Sequence, residues 1–174
     1  MIKLATHLRY MQLHTHNAHN ACQGDTFYSD HEELGDLYGV YTGLYDGVIE
    51  RMIGLGQSVD LVSIQVDAAK MLEATPTSFS AAFTAVLKCE EELIKLIDAA
   101  NEGASLGTQN FLQGIADDSE VRQYKLKQRL SKSAEAKAET KTEETAEVKT
   151  EDKEEAKEAS TVAKKIAAKL LSVR

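Results

Sequence analysis

Apolar residues recur at helical spacing along the first three quarters of the chain. The first segment carries them at intervals of four, three, seven and four residues: Leu4, Leu8, Met11, Ala18 and Cys22. Because these intervals place side chains on one helix face, a helix is predicted over residues 2–23. A break follows at Gly24-Asp25-Thr26, where the chain can turn back on itself.

A longer apolar stripe follows this break. Its members are Leu34, Leu37, Tyr38, Tyr41, Leu44, Tyr45, Val48 and Met52. Ser29 or Asp30 can cap this second helix, which is predicted to run to about Leu55 and to stop at Gly56. Residues 57–78 then form a long connection with a short helix within 59–74.

Two further helices complete the predicted bundle. The third begins at Ser78 or Ser80, ends near Gly103, and carries the stripe Phe79, Phe83, Val86, Leu87, Leu93, Ile94 and Ile97. The fourth begins at Ser105 or Thr108 and reaches about Leu130. Four long helices with two short turns and one long crossover predict an all-α, ferritin-like four-helix bundle rather than an up-down bundle.

The composition changes after this bundle. All ten aromatic residues lie at or before Tyr124, whereas residues 132–161 are mainly Lys, Glu, Ala and Thr. We therefore predict a domain over 1–131, then a disordered C-terminal tail whose first part, 132–161, is a charged low-complexity linker. Apolar spacing returns in residues 162–174, which hold four bases and no acid, and predicts a cationic amphipathic helix.

The net charge of −8 belongs to the predicted bundle, because residues 1–131 hold 18 acids and 10 bases. An acidic surface argues against nucleic-acid binding by the bundle itself. No stretch of 18 apolar residues exists, so no transmembrane segment is predicted. Two cysteines and the lack of an N-terminal signal pattern favour a reducing, cytoplasmic location.

The candidate chemistry lies around the first turn and along the second helix. His19 and His31 are equidistant from the turn, so the two imidazoles are predicted to lie side by side in an antiparallel hairpin. Asp46 and Glu50 are four residues apart and share a face directed away from the apolar stripe. His31 and Asp46 are separated by 15 residues, about 22 Å of helix, which is too far for one metal ion.

Two antiparallel copies of the second helix, related by a two-fold axis, would bring His31 of one chain beside the carboxylates of the other. Imidazole and carboxylate ligands suit iron, zinc or manganese. Without a metal, the same four side chains would form a polar contact between two copies. The same helix contains four glycines at intervals of four residues: Gly35, Gly39, Gly43 and Gly47. We expect them to form a groove that lets the partner helix approach closely; the alternative is that they break the helix.

Other polar residues are expected to have structural roles. His7, His14 and His16 are predicted at the surface; the alternative for His16, three residues before His19, is an outer metal ligand. Glu90 falls within the third helix's apolar stripe and is predicted at its edge; the alternative is a buried or pore-facing carboxylate. Cys22 lies on a core stripe and is predicted to be a packed thiol.

The segment His19-Asn-Ala-Cys-Gln-Gly24-Asp-Thr-Phe27-Tyr-Ser-Asp-His31, followed by Asp46-Gly-Val-Ile-Glu50-Arg51 and Leu55-Gly56, resembles the DNA-protection-during-starvation (Dps) miniferritins. The resemblance covers residues 1 to about 131, and its specific part is 19–56. It implies a two-fold dimer within a hollow homo-dodecamer that oxidises iron(II), typically with hydrogen peroxide, and stores ferric iron against oxidative damage. His19 and His31 would be metal ligands from one subunit, with Asp46 and Glu50 from its partner.

Two positions depart from the family pattern, in which an aspartate follows the second histidine by four residues and a tryptophan follows the first. Gly35 and Asn20 occupy these positions here. The change at Gly35 leaves open whether the site holds one iron or two, and whether it is a ferroxidase at all. The alternative function is a structural or DNA-binding ferritin-like protein with a degenerate metal site, docked through 162–174 onto DNA, a capsid or shell, or another partner.

Overall fold

The computed structural model describes residues 1–131; the predictions for 132–161 and 162–174 lie outside the described residues. The described chain forms five helices: α1 (Ile2–Ala21), α2 (Phe27–Gly54), α3 (Leu61–Lys70), α4 (Phe79–Asn101) and α5 (106–131, up to the last described residue). The predicted all-α class and the order of the helices are confirmed.

α1, α2, α4 and α5 form a four-helix bundle, and α3 is the short helix within the crossover between α2 and α4. The apolar stripes of the four long helices meet in one core, which includes Leu8, Leu34, Val48, Leu93 and Leu112, each fully buried. Burying a large aliphatic side chain stabilises a fold by about 1.5–3 kcal/mol, so this core is the main source of stability. None of the helices among residues 1–131 is both long and apolar enough to cross a membrane.

The end of α2 and the start of α4 lie where the sequence predicts them, because each is fixed by a local capping motif. Gly56 adopts a positive φ of 75°, and its N–H donates to the carbonyl of Ile53 while the N–H of Gln57 donates to Met52. This pair of bonds is a Schellman motif, which favours glycine because a Cβ would strain the left-handed backbone. Ser78 caps α4 by accepting the N–H of Ala81 at 3.3 Å, as predicted.

The predicted start of α2 is wrong by three to four residues. The N-cap is Thr26 rather than Ser29 or Asp30, and no side chain caps the helix. Asp30 lies inside the first turn, where it is buried and pairs with Arg129 of α5. The carboxylate therefore ties the start of α2 to α5 and fixes the end of the bundle that carries the two histidines.

The predicted edge position of Glu90 is also wrong, because this carboxylate is completely buried between α2, α4 and α5. Its oxygens accept hydrogen bonds from Tyr41 Oη, Ser119 Oγ and Arg122 Nε, each at 2.6 Å. A buried charge is tolerated only when it is paired and hydrogen-bonded, and these three donors satisfy that condition.

Two of the three histidines predicted at the surface are instead buried between α1 and α4. His7 is 5% exposed and its Nε2 donates to the carbonyl of Cys89 at 2.9 Å, while His14 is 9% exposed. Burial lowers the pKa of both rings, so they favour the neutral form. His16 is exposed as predicted, and Cys22 is a buried free thiol whose pKa is raised by burial.

Candidate metal centre

The histidine pair joins the end of α1 to the start of α2. The His19 and His31 rings stack with centroids 3.7 Å apart and planes 24° apart. Nδ1 of each ring lies 2.9 Å from the backbone carbonyl oxygen of the other histidine. The structure therefore places the two imidazoles side by side, as the equal spacing about the turn predicts.

These reciprocal bonds determine which nitrogen of each ring carries the proton. A carbonyl oxygen can only accept, so Nδ1 of both rings must be the donor. When neutral, each Nε2 then carries a lone pair, which is the form of imidazole that ligates metal ions. A backbone carbonyl that holds Nδ1–H is also the usual outer contact of a metal-ligating histidine, because it fixes both the tautomer and the ring orientation.

Phe27 and Gly35 hold the pair from its two sides. The Phe27 ring stacks on His31 with centroids 4.7 Å apart and planes 22° apart. On the other side, a Cβ added to Gly35 would lie 3.2 Å from Cε1 and 3.3 Å from Nδ1 of His19. A side chain at position 35 would therefore press on the imidazole, so the glycine gives the ring its space.

We expect Gly35→Ala to weaken divalent metal binding by the assembled protein about tenfold, the lower end of the effect seen when a ligand's outer contacts are disturbed. The added methyl group must push the His19 ring away by a few tenths of an ångström and disturb its bond to His31. Titration with cobalt(II), followed by its visible absorption, measures the change. Gly114→Ala is the matched control, since a Cβ there meets nothing within 4 Å. Equal affinities of the two variants would contradict the expectation.

Asp46 and Glu50 lie on the exposed face of α2, and both side chains are exposed. His31 and Asp46 are 15 residues apart on one continuous helix, so about 22 Å separates them along the axis. Within a single chain, no group of three or more His, Cys, Asp or Glu side chains among residues 1–131 is arranged to hold a metal ion. The protomer thus presents two imidazoles and two carboxylates at separate places.

A recess of about 410 Å³ lies beside Glu50. Its wall is formed by Phe111 of α5, over which the Arg51 guanidinium lies at 4.9 Å from the ring centroid. A Cβ at Gly47 would lie 3.5 Å from the same ring, so the absence of a side chain there keeps the recess open. The space next to this carboxylate is therefore shaped by side chains of two helices.

The glycines do not break α2, which is continuous from Phe27 to Gly54, so the alternative of a broken helix is wrong. A Cβ at Gly39 or Gly43 would meet nothing within 4 Å, and both residues are exposed. They form a shallow groove on the helix surface that continues toward Asp46. The role of this groove in binding a partner stays a prediction.

The protein is a four-helix bundle with a helical crossover, and a histidine pair lies at its first helical hairpin. The profile of the ferritin-like domain family matches residues 3–136, and the chain belongs to that family. Over 74 residues the chain is 36% identical to DNA protection during starvation protein 2 of Deinococcus radiodurans. That alignment covers 42% of this chain but only 31% of the relative.

The fold is also similar to the crystal structure of Helicobacter cinaedi CAIP, with a TM-score of 0.53 and 22% identity. That comparison covers 74% of this chain and 98% of the other, and at this identity it supports the fold alone. Together with the starvation-protein relative, the family match makes this chain a Dps-like member of the ferritin superfamily.

Proposed function

We propose that this protein oxidises iron(II) at a site between two subunits and stores the ferric product, protecting its surroundings from oxidative damage. The observation that carries the proposal is the pair of reciprocally hydrogen-bonded imidazoles, His19 and His31, whose Nδ1 atoms are engaged by backbone carbonyls so that the Nε2 atoms are left to ligate a metal ion. This arrangement resembles a preorganised half of a metal centre, because ring positions and tautomers are set before any ion binds.

The second half would come from Asp46 and Glu50 of a two-fold partner. Both carboxylates are exposed on one face of the continuous helix α2, beside the glycine groove. Packing two α2 helices antiparallel across a two-fold axis places the carboxylate end of one against the histidine end of the other, and generates two identical sites. We therefore also propose a two-fold dimer, repeated within a dodecamer.

The reaction at this site would move electrons from iron to a peroxide. Two iron(II) ions each give one electron to one hydrogen peroxide, which takes up two protons and leaves as two water molecules. Iron is the substrate, and the ligands hold it while the electron leaves. The excess of acids over bases in residues 1–131 supports the proposal, since an acidic surface raises the local concentration of cations.

The test compares the initial rate of iron(II) oxidation by hydrogen peroxide in the wild type and in Asp46→Ala/Glu50→Ala. We expect the rate to fall to that of iron in buffer, because half of the ligands are lost. Asp98→Ala/Glu102→Ala is the control, since it removes two exposed carboxylates at the same spacing of four residues. A wild-type protein that oxidises iron no faster than the Asp46/Glu50 variant would refute the proposal and favour a degenerate metal site.

A further inference from the structure

The interior of the bundle holds a tyrosine whose phenol is hydrogen-bonded to a buried carboxylate. Tyr41 and Glu90 are both fully buried, and the Tyr41 hydroxyl donates to Glu90 Oε1 at 2.6 Å. Burial and the neighbouring Glu90 charge raise the pKa of Tyr41 well above its ordinary value, so the phenol keeps its proton. None of the four candidate metal ligands belongs to this cluster, and the proposed iron chemistry does not use it.

This geometry permits a coupled loss of an electron and a proton. A phenol becomes a strong acid when it loses one electron, and it needs a base within hydrogen-bond distance to receive the proton. Tyr41–OH and the Glu90 carboxylate would become a neutral tyrosyl radical and a carboxylic acid, while the oxidant gains one electron. The remaining positive charge stays on Arg122, whose side chain is 12% exposed and reaches water.

We propose that Tyr41, with Glu90 as its proton acceptor, is a one-electron donor that intercepts strong oxidants such as hydroxyl radical. The source of this oxidant rests on the proposed function, because a single iron(II) that gives one electron to hydrogen peroxide produces hydroxide and hydroxyl radical. Tyr41 lies ten residues after His31 and nine before Glu50 in α2, about 15 and 13.5 Å along the axis. Within one chain it is thus located between the histidine pair of one candidate site and the carboxylates that belong to the two-fold-related site.

The burial of Tyr41 gives its radical a property that exposed tyrosines lack. Tyr28 is 90% exposed and Tyr124 is 64% exposed, so radicals formed there can meet another chain and couple. A radical on Tyr41 is enclosed by packed side chains and can return only by taking back one electron and the proton from Glu90. We therefore expect the Tyr41 radical to outlive the others.

The experiment oxidises the iron-free, full-length protein with photogenerated ruthenium(III) tris-bipyridine and detects radicals by electron paramagnetic resonance after rapid freezing. We expect a persistent tyrosyl signal in the wild type and at least a tenfold smaller one in Tyr41→Phe. Tyr124→Phe, the same chemical change at an exposed residue, should keep the signal. A persistent signal of equal size in Tyr41→Phe would overturn the proposal.

Two further measurements separate the roles. Glu90→Gln retains an acceptor for the hydrogen bond but removes the basic carboxylate, so the persistent signal should again fall tenfold; an unchanged signal would refute the role of Glu90 as proton acceptor. Addition of iron(II) and hydrogen peroxide to the wild type should produce the same spectrum. A protein that fails to oxidise iron would refute the proposed function. The iron-free experiment tests the role of Tyr41 separately, because its oxidant does not come from iron.

Discussion

Replacing Glu90 with alanine is expected to destabilise the protein by about 3–5 kcal/mol, the cost of removing one partner of a buried ion pair. The carboxylate accepts hydrogen bonds from Tyr41, Ser119 and Arg122, so its removal leaves the donors of three residues without their acceptor. Arg122 would also keep a positive charge that is mostly enclosed by protein. The side chain volume lost at the centre of the bundle adds a cavity term.

The urea concentration at half-unfolding, compared at equal protomer concentration, measures this loss. Glu92→Ala is the control: its pair with Lys95, at 2.8 Å, is exposed to water, so we expect the urea concentration at half-unfolding to stay close to that of the wild type. In Glu90→Met/Arg122→Met both charges are gone, and we expect part of the stability to return. Equal effects of Glu90→Ala and Glu92→Ala would contradict the proposed role of the buried pair.

The burial of Glu90 shows where sequence patterns stop being informative. Apolar spacing predicts the long helices of the bundle, because each stripe must face the same core. A single acid within a stripe is compatible with an edge or with a buried pair, and the choice depends on residues far away in sequence. Here the partners are Tyr41 and Arg122, 49 and 32 residues distant.

The same limit applies to His7 and His14, for which the sequence predicts surface positions. Burying a histidine costs less when its ring N–H has an acceptor, and the acceptor for His7 is a backbone carbonyl of α4, far away in sequence. Every residue has a backbone carbonyl, so the sequence does not reveal which one accepts the hydrogen bond. Position in the helix was the available signal, since His7 adjoins Leu8 and lies three residues after Leu4, both fully buried.

The candidate site was partly predictable. Equal spacing about a short turn predicts that His19 and His31 meet, since antiparallel helices place such residues opposite each other. The sequence could not predict their tautomers, the stacking of Phe27, or the contact that explains Gly35, because these depend on side-chain geometry. The remaining half of the site depends on a second chain.

Mixed assemblies test whether the site is shared between chains. We expect His19→Ala/His31→Ala and Asp46→Ala/Glu50→Ala each to lose iron oxidation when assembled alone. When both chains are co-expressed in equal amounts, half of the two-fold pairs contain one of each, and each such pair rebuilds one intact site. The rate should therefore return to about a quarter of the wild-type value, because the intact histidines and the intact carboxylates belong to different chains.

The control replaces the histidine variant with a chain that carries all four alanine substitutions, which forms no intact site with the Asp46/Glu50 variant. Recovery in the first mixture and none in the second would require that ligands from two chains act together, whatever metal stoichiometry the site has. Failure of the first mixture, with an active wild type and equal assembly, would show that the ligands act within one chain. That outcome conflicts with about 22 Å of continuous helix between His31 and Asp46, so α2 would then have to bend or unfold for the reaction.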